Sequence, residues 1–97
     1  MPAVIAGSVE TVAYQVGLLP SAHRDLKRLP KPVQIRIAVA LRELAGDPRP
    51  TGVVKLAGME NLWRIRIGNY RVVYEIHDDR LVVLVLRVAH RKDVYRG

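Results

Sequence analysis

Three arginines within eight residues, Arg64, Arg66 and Arg71, carry the first suggestion of chemistry. Residues 62–76 read LWRIRIGNYRVVYEI. Two short alternating runs flank Gly68-Asn69, a two-residue connection of the kind that closes β-hairpins. With those two residues as the loop, Ile67 faces Tyr70, Arg66 faces Arg71, Ile65 faces Val72 and Trp63 faces Tyr74. Directly opposed residues share a face, and faces alternate along a strand. One face then holds Trp63, Ile65, Ile67, Tyr70, Val72 and Tyr74. The other holds Arg64, Arg66 and Arg71, with no acid before Glu75. Opposed like charges cost a sheet roughly 0.2–1 kcal/mol. An anionic ligand would offset that penalty, and phosphate suits guanidinium groups because they grip it through paired N–H donors and stay charged.

The tail adds Arg91 and Tyr95, a cation and a phenol whose ionisation nearby positive charge favours. This set suits RNA cleavage without metal. The 2′-hydroxyl attacks the adjacent phosphorus, a base takes its proton, and arginines stabilise the pentavalent dianion. The plainer reading of the same residues is a solvated arginine face, with Tyr95 covering a sheet edge.

Other chemistries have less support. His23, His77 and His90 fall on a predicted helix, a turn and the tail, without zinc-site spacing. Asp78-Asp79 is better explained as a turn than as a cation site. Ser8 and Ser21 lack a nucleophile's setting, and Gly46, Gly52 and Gly58 do not make a phosphate-binding glycine loop. No metal or cofactor is expected. The absence of cysteine excludes disulfides, thiolate metal sites and a Cys nucleophile, and fits a reducing cytosol. No apolar run approaches the ~20 residues of a membrane span, and MPAVIAGSVE at the start lacks the basic and long apolar parts of a signal peptide. The net charge of +7 suggests a polyanionic or acidic partner. It is spread along the chain, with seven basic against four acidic residues in 1–54 and nine against five in 55–97. The placement of the arginines is therefore more informative than their sum.

The elements that must position these residues follow from local patterns. A chain of 97 residues predicts a single domain, 1–97, with residues 1–11 as a partly ordered lead-in. Residues 12–18 alternate Val12, Tyr14, Val16 and Leu18 against smaller or polar neighbours, a strand pattern. Ser21 is a helix N-cap candidate, and Ala22, Leu26 and Leu29 form the apolar side of a short helix ended by Pro30. Pro32 suits the first turn of a second helix with a stripe of Val33, Ile37, Ala40, Leu41 and Leu44. Gly46 and Asp47-Pro48 stop it. Residues 46–61 form a loop, within which residues 53–56 supply a short extended piece. After the arginine hairpin, Asp78-Asp79 as a second two-residue loop would set Glu75 opposite Val82 and Val73 opposite Leu84. Residues 81–88 form an apolar run suited to a central strand. The expected architecture is α+β: an N-terminal strand, a helical hairpin, then a three-stranded antiparallel meander, β-α-α-β-β-β, in one twisted sheet with the helices on one side.

LPSAHRDLKRLP, KLAGM, LWRIRIGNYRVVYEI and the tail VAHRKDVYR resemble the RelE/ParE toxin superfamily, on its RelE side. The resemblance covers residues 12–96, and its most specific parts are the W-R-I-R-x-G-x-Y-R-V-V-Y strand pair and the H-R-x-D-V-Y tail. It implies a small basic toxin of a bacterial type II toxin–antitoxin pair, a metal-independent endoribonuclease that cuts mRNA on the ribosome in the cytoplasm. The implied partners are a cognate antitoxin, in a toxin–antitoxin hetero-oligomer, and the ribosome with its mRNA. Residue by residue, Arg71 matches the arginine that stabilises the transition state at phosphate. Arg64 and Arg66 match two basic positions that are lysines in the best-known members, which shifts their role from proton transfer to binding and charge stabilisation. Arg91 matches a basic residue that stabilises the transition state or protonates the leaving group. Tyr95 matches the tail tyrosine, a base or a stacking group. Lys55, His90 and Lys92 are further candidates for RNA contact. Lys55 reads equally as a solvated loop residue, His90 is also a candidate acid or base, and Trp63 is expected in the core. The same fold serves ParE-type proteins, which bind DNA gyrase without nuclease chemistry, and it would also serve a member that has lost activity and only binds its antitoxin.

Overall fold

The computed structural model describes residues 13–90. The lead-in, residues 1–11, the first position of the expected strand, Val12, and the tail candidates Arg91, Lys92 and Tyr95 lie outside them. In chain order the elements are β1 (Gln15–Leu18), α1 (Pro20–Lys27), α2 (Lys31–Gly46), β2 (Val54–Lys55), β3 (Trp63–Ile67), β4 (Tyr70–His77) and β5 (Val82–His90). They build one five-stranded sheet in the order β1-β5-β4-β3-β2. The expected order of strands and helices is present, with β2 as a two-residue addition at the edge. The sheet is mixed rather than purely antiparallel, because β1 runs parallel to β5 and the two helices lie in the connection between β1 and the rest of the sheet.

Both helices start at prolines, where a missing N–H costs nothing. Pro20 opens α1, with Leu19 at the N-cap and no side-chain capping bond. Ser21 is therefore not the cap: it sits inside the first turn, and its hydroxyl donates to the Leu86 carbonyl at 2.8 Å. The α2 helix follows Pro30, stops after Gly46, and has Asp47 as its C-cap residue.

The helices cover one face of the sheet. Ala22 of α1 and Ile37, Leu41 and Leu44 of α2 are buried with Val72, Tyr74, Ile76, Val83, Val85 and Val88 of the two central strands. The α2 stripe read from spacing is this surface, with Val33 packed at its margin. Tyr74 is fully buried, and its hydroxyl donates to the Pro48 carbonyl at 2.8 Å. Burial pushes its phenol up to about 12, since the charged phenolate would have to be desolvated.

Two registers decide what the opposite face carries. Across β3 and β4 the pairs are Ile67–Tyr70, Arg66–Arg71, Ile65–Val72, Arg64–Val73 and Trp63–Tyr74, as the Gly68-Asn69 loop requires. Gly68 takes φ +61°, a conformation that glycine adopts without strain. Across β4 and β5 the expected register is wrong. His77 pairs with Val82 and Glu75 with Leu84, so the loop is the four residues 78–81, with Leu81 at φ +56°. A shift then follows: Tyr74 pairs with Val85, but Val73 pairs with Arg87. Leu86 is the extra residue of a β-bulge.

Candidate nucleic-acid interface

Alternation along β4 sends Val72, Tyr74 and Ile76 into the core and leaves Arg71, Val73, Glu75 and His77 on the sheet face that the helices do not cover. Pairing adds Arg66 and Arg64 from β3, and Ala89 and Arg87 from β5. The open face therefore has two basic rows, Arg66–Arg71–Ala89 and Arg64–Val73–Arg87, about 6.8 Å apart along the strands. Toward the other end of β4 come Glu75 beside Leu84 and His77 beside Val82, then Gly17 and Gln15 on β1. Glu75 Oε1 lies 2.8 Å from His77 Nε2.

The four arginines are held differently. Arg66 is exposed and donates from Nε to the Gly68 carbonyl at 3.1 Å, which ties it to the hairpin turn. Arg64 and Arg71 are half-buried, and the Nε of Arg71 is withdrawn from solvent. A guanidinium so placed is oriented by its surroundings and meets less screening than an exposed one. Arg87 lies nearer α1. Its Nε donates to Asp25 Oδ2 at 2.8 Å and its Nη2 to Asp25 Oδ1 at 3.3 Å, while the side chain keeps 60% of its exposure. Burial raises the carboxyl of Asp25, but the Arg87 guanidinium and the Val88 N–H, which donates to Oδ2 at 2.9 Å, together hold it below its ordinary value.

Two of the residues expected to contact RNA sit on the other face. Lys55 pairs with Trp63 and carries its ammonium 5.8 Å from the Trp63 ring centroid. His90 pairs with Tyr70, and the two rings meet edge to face at 5.4 Å. Trp63 is half-buried against the core, where Arg49 also covers its ring at 4.9 Å, an attractive arrangement for a cation over an indole. Arg49 reaches on to Asp78 with two hydrogen bonds, at 2.8 and 3.2 Å, and Tyr14 donates to the same carboxylate at 2.6 Å. The Arg49 guanidinium, with the Tyr14 hydroxyl, pulls Asp78 down to about 2. The bond to Asp78 raises the Tyr14 phenol. Asp78 thus serves as an anchor between the β4–β5 turn, the residues before β1 and the loop after α2.

Arg64, Arg66 and Arg71 are brought together as read from the sequence, with Trp63 and Tyr74 on the opposite face. Arg87 was missed. Its face depends on a bulge, and no residue pattern within residues 81–88 announces one. Among the described residues, no three His, Asp or Glu side chains are grouped so as to hold a metal ion. The open face can grip a chain of phosphates with planar donors on a rigid sheet.

Residues 16–95 match the family described as the ParE toxin of type II toxin-antitoxin system, parDE. The chain is 33% identical over 84 residues to the toxin RelG of Mycobacterium tuberculosis, covering 86% of this chain and 97% of that one. It is 29% identical over 83 residues to the mRNA interferase toxin RelE of Escherichia coli, covering 84% and 86%. Among solved structures it resembles the toxin–antitoxin complex RelBE2 from Mycobacterium tuberculosis, with a TM-score of 0.75 and 31% identity over 87% of this chain and 98% of that one.

Proposed function

We propose a function from the premise that this chain belongs to the ParE toxin family of type II toxin–antitoxin systems, as a member of the RelE type: it is an endoribonuclease that cuts mRNA on the ribosome without metal. The observation that supports this reading most directly is the open sheet face, where Arg66 is set directly against Arg71 beside Arg64. A stable sheet gains nothing from that opposition, whereas two guanidinium groups across a strand pair suit one phosphodiester. In the proposed step, the 2′-oxygen attacks phosphorus and the 5′-oxygen leaves, giving a 2′,3′-cyclic phosphate and a free 5′-hydroxyl. Arg71 holds the phosphoryl oxygens as their charge grows, and the exposed Arg66 and half-buried Arg64 bind the same and the neighbouring phosphates. Arg91 and Tyr95 are assigned proton transfer or charge stabilisation, with Tyr95 as base or stacking group. Lys92, Lys55 and His90 are assigned peripheral RNA contact, for Lys55 and His90 around the sheet edge rather than in the arginine rows.

A relative is named an mRNA interferase, and a solved neighbour is a toxin–antitoxin complex. By extension the partners here are the ribosome with its mRNA and a cognate antitoxin, in a hetero-oligomer that keeps the toxin silent in the cytoplasm. No helix among the described residues is long and apolar enough to cross a membrane.

The test is translation in a purified system with mapping of mRNA ends. Wild-type protein should produce new 5′ ends within ribosome-covered codons, and an Arg71→Ala plus Arg91→Ala variant should not. Intact messages at doses that stop translation would sink the proposal. A second reading, gyrase inhibition without nuclease chemistry, is favoured by the parDE description of the matching family. Loss of supercoiling activity in a gyrase assay, with mRNA left whole, would select it.

A further inference from the structure

The β5 bulge decides which side chains flank Arg71. If the register set by His77–Val82 ran on without the extra residue, Arg71 would face Val88, and Arg87 would face Val72 on the core side. With the bulge, Val88 is buried, Arg87 joins the open face, and the residue beside Arg71 is Ala89. The smaller side chain leaves room next to the guanidinium where Val88 would crowd it. A slip of one residue reverses every face beyond it.

What holds the bulge comes from α1. Beyond Val85 the β1 strand has ended, and the edge of β5 needs new partners for its backbone groups. Ser21 and Asp25 lie one helical turn apart, on the same side of α1. The Ser21 hydroxyl donates to the carbonyl of Leu86, the extra residue, at 2.8 Å. Asp25 Oδ2 accepts the Val88 N–H at 2.9 Å and the Arg87 Nε at 2.8 Å. The two side chains thus take the bulge from both ends.

We infer that Ser21 and Asp25 are positioning residues for the phosphate site: by clamping the β5 bulge to α1 they keep Ala89 beside Arg71 and Arg87 on the open face. The inference rests on the nuclease reading above for its catalytic consequence, but not for its structural one. Asp25 engages the arginine rows at Arg87 and Ser21 the neighbouring Leu86 carbonyl, so both act through β5 rather than on the reacting phosphate. Their loss should therefore slow the chemical step more than it weakens ribosome binding.

The experiment uses the full-length chain and two readouts. Cross-strand proton contacts by NMR report whether Arg71 neighbours Ala89 or Val88, and single-turnover cleavage of ribosome-bound mRNA reports function. Asp25→Ala should weaken the Arg71–Ala89 contacts, speed amide exchange at Val88, and lower the saturating rate constant on the order of 10- to 100-fold, the scale of a small misplacement at a reacting centre. The half-saturating ribosome concentration should move far less. Ser21→Ala should act in the same direction, and Ser21→Thr, which keeps the hydroxyl, should restore the rate. If Asp25→Ala does not fold, Asp25→Asn and the Ser21 pair give the same two readouts. Unchanged Arg71–Ala89 contacts in the Asp25 and Ser21→Ala variants overturn the inference, as does a loss confined to ribosome affinity. A wild-type chain that leaves ribosome-bound mRNA uncut overturns the nuclease reading instead, and the NMR comparison then decides the positioning claim alone.

Discussion

Alternate residues of β4 live in two environments. Val72, Tyr74 and Ile76 are 0%, 0% and 3% exposed beneath the helices, and each fills space that its neighbours define. Arg71, Val73, Glu75 and His77, one position away in each case, are only half-buried on the open face. The first set can be changed only at the expense of folding. The second includes an arginine directly opposed by another arginine, which no stability argument would select. A strand with a period of two can thus assign packing to one parity and ligand binding to the other. Substitutions on the two parities should separate cleanly into stability effects and activity effects.

The largest effect expected on the open face is that of Arg71→Ala. Removing a donor aimed at transition-state charge typically lowers the rate about 10²- to 10³-fold. Single-turnover cleavage should show that loss while thermal unfolding stays cooperative. An activity loss matched by loss of folded protein would break the division between the faces. On the packed side, Ile37→Ala removes a fully buried side chain of α2 and should cost about 2–5 kcal/mol in urea unfolding. Cleavage per folded molecule should be unchanged.

Tyr74→Phe tests the same side more finely. It leaves the ring in place and deprives the Pro48 carbonyl of its donor, for an expected loss of about 1–3 kcal/mol. The parent protein also carries a pH signature here. The folded phenol ionises near pH 12, against roughly 10 in the unfolded chain. Its contribution is whole below the unfolded value and is lost as pH rises through the folded one. Unfolding measured from pH 9 to 12 should show that decline in the wild type and a shallower one in Tyr74→Phe.

The smallest effect concerns the link between the faces. Asp25 is depressed by Arg87 and the Val88 N–H against the opposing effect of burial. Its contribution is present above the unfolded carboxyl value of about 3.9 and is lost as pH falls through the lower folded value. Acid titration of stability should be flatter in Asp25→Asn. An identical acid limb in that variant would remove Asp25 from the connection.

Local chemistry made one half of the site legible. Gly68-Asn69 specifies a two-residue turn, a two-residue turn specifies a register, and the register places five pairs from Ile67–Tyr70 to Trp63–Tyr74. The α2 stripe and its stop at Gly46 were legible for the same reason, since both depend on residues within a few positions of one another. Ser21 was misread because its type permits a cap, whereas the fold offers it the Leu86 carbonyl, 65 residues away. The Asp78-Asp79 turn was misread because aspartates permit a two-residue loop without requiring one, and Arg49 and Tyr14 fix Asp78 from distant segments. Lys55 and His90 were read as RNA contacts from a loop position and from the place beside Arg91, and only pairing with Trp63 and Tyr70 shows that they lie on the other face from the arginine rows.

By itself, then, the sequence determined the arginine-bearing hairpin: adjacent residues set its turn, and the turn set which side chains share a face. Only the tertiary structure decided what stands beside it. The parallel seat of β1 on β5, the bulge at Leu86 and the outward turn of Arg87 all depend on groups more than sixty positions apart in the chain. A backbone hydrogen bond carries no preference for its partner's place in sequence. Where the choice between two registers rests on such bonds, it is made when the elements meet.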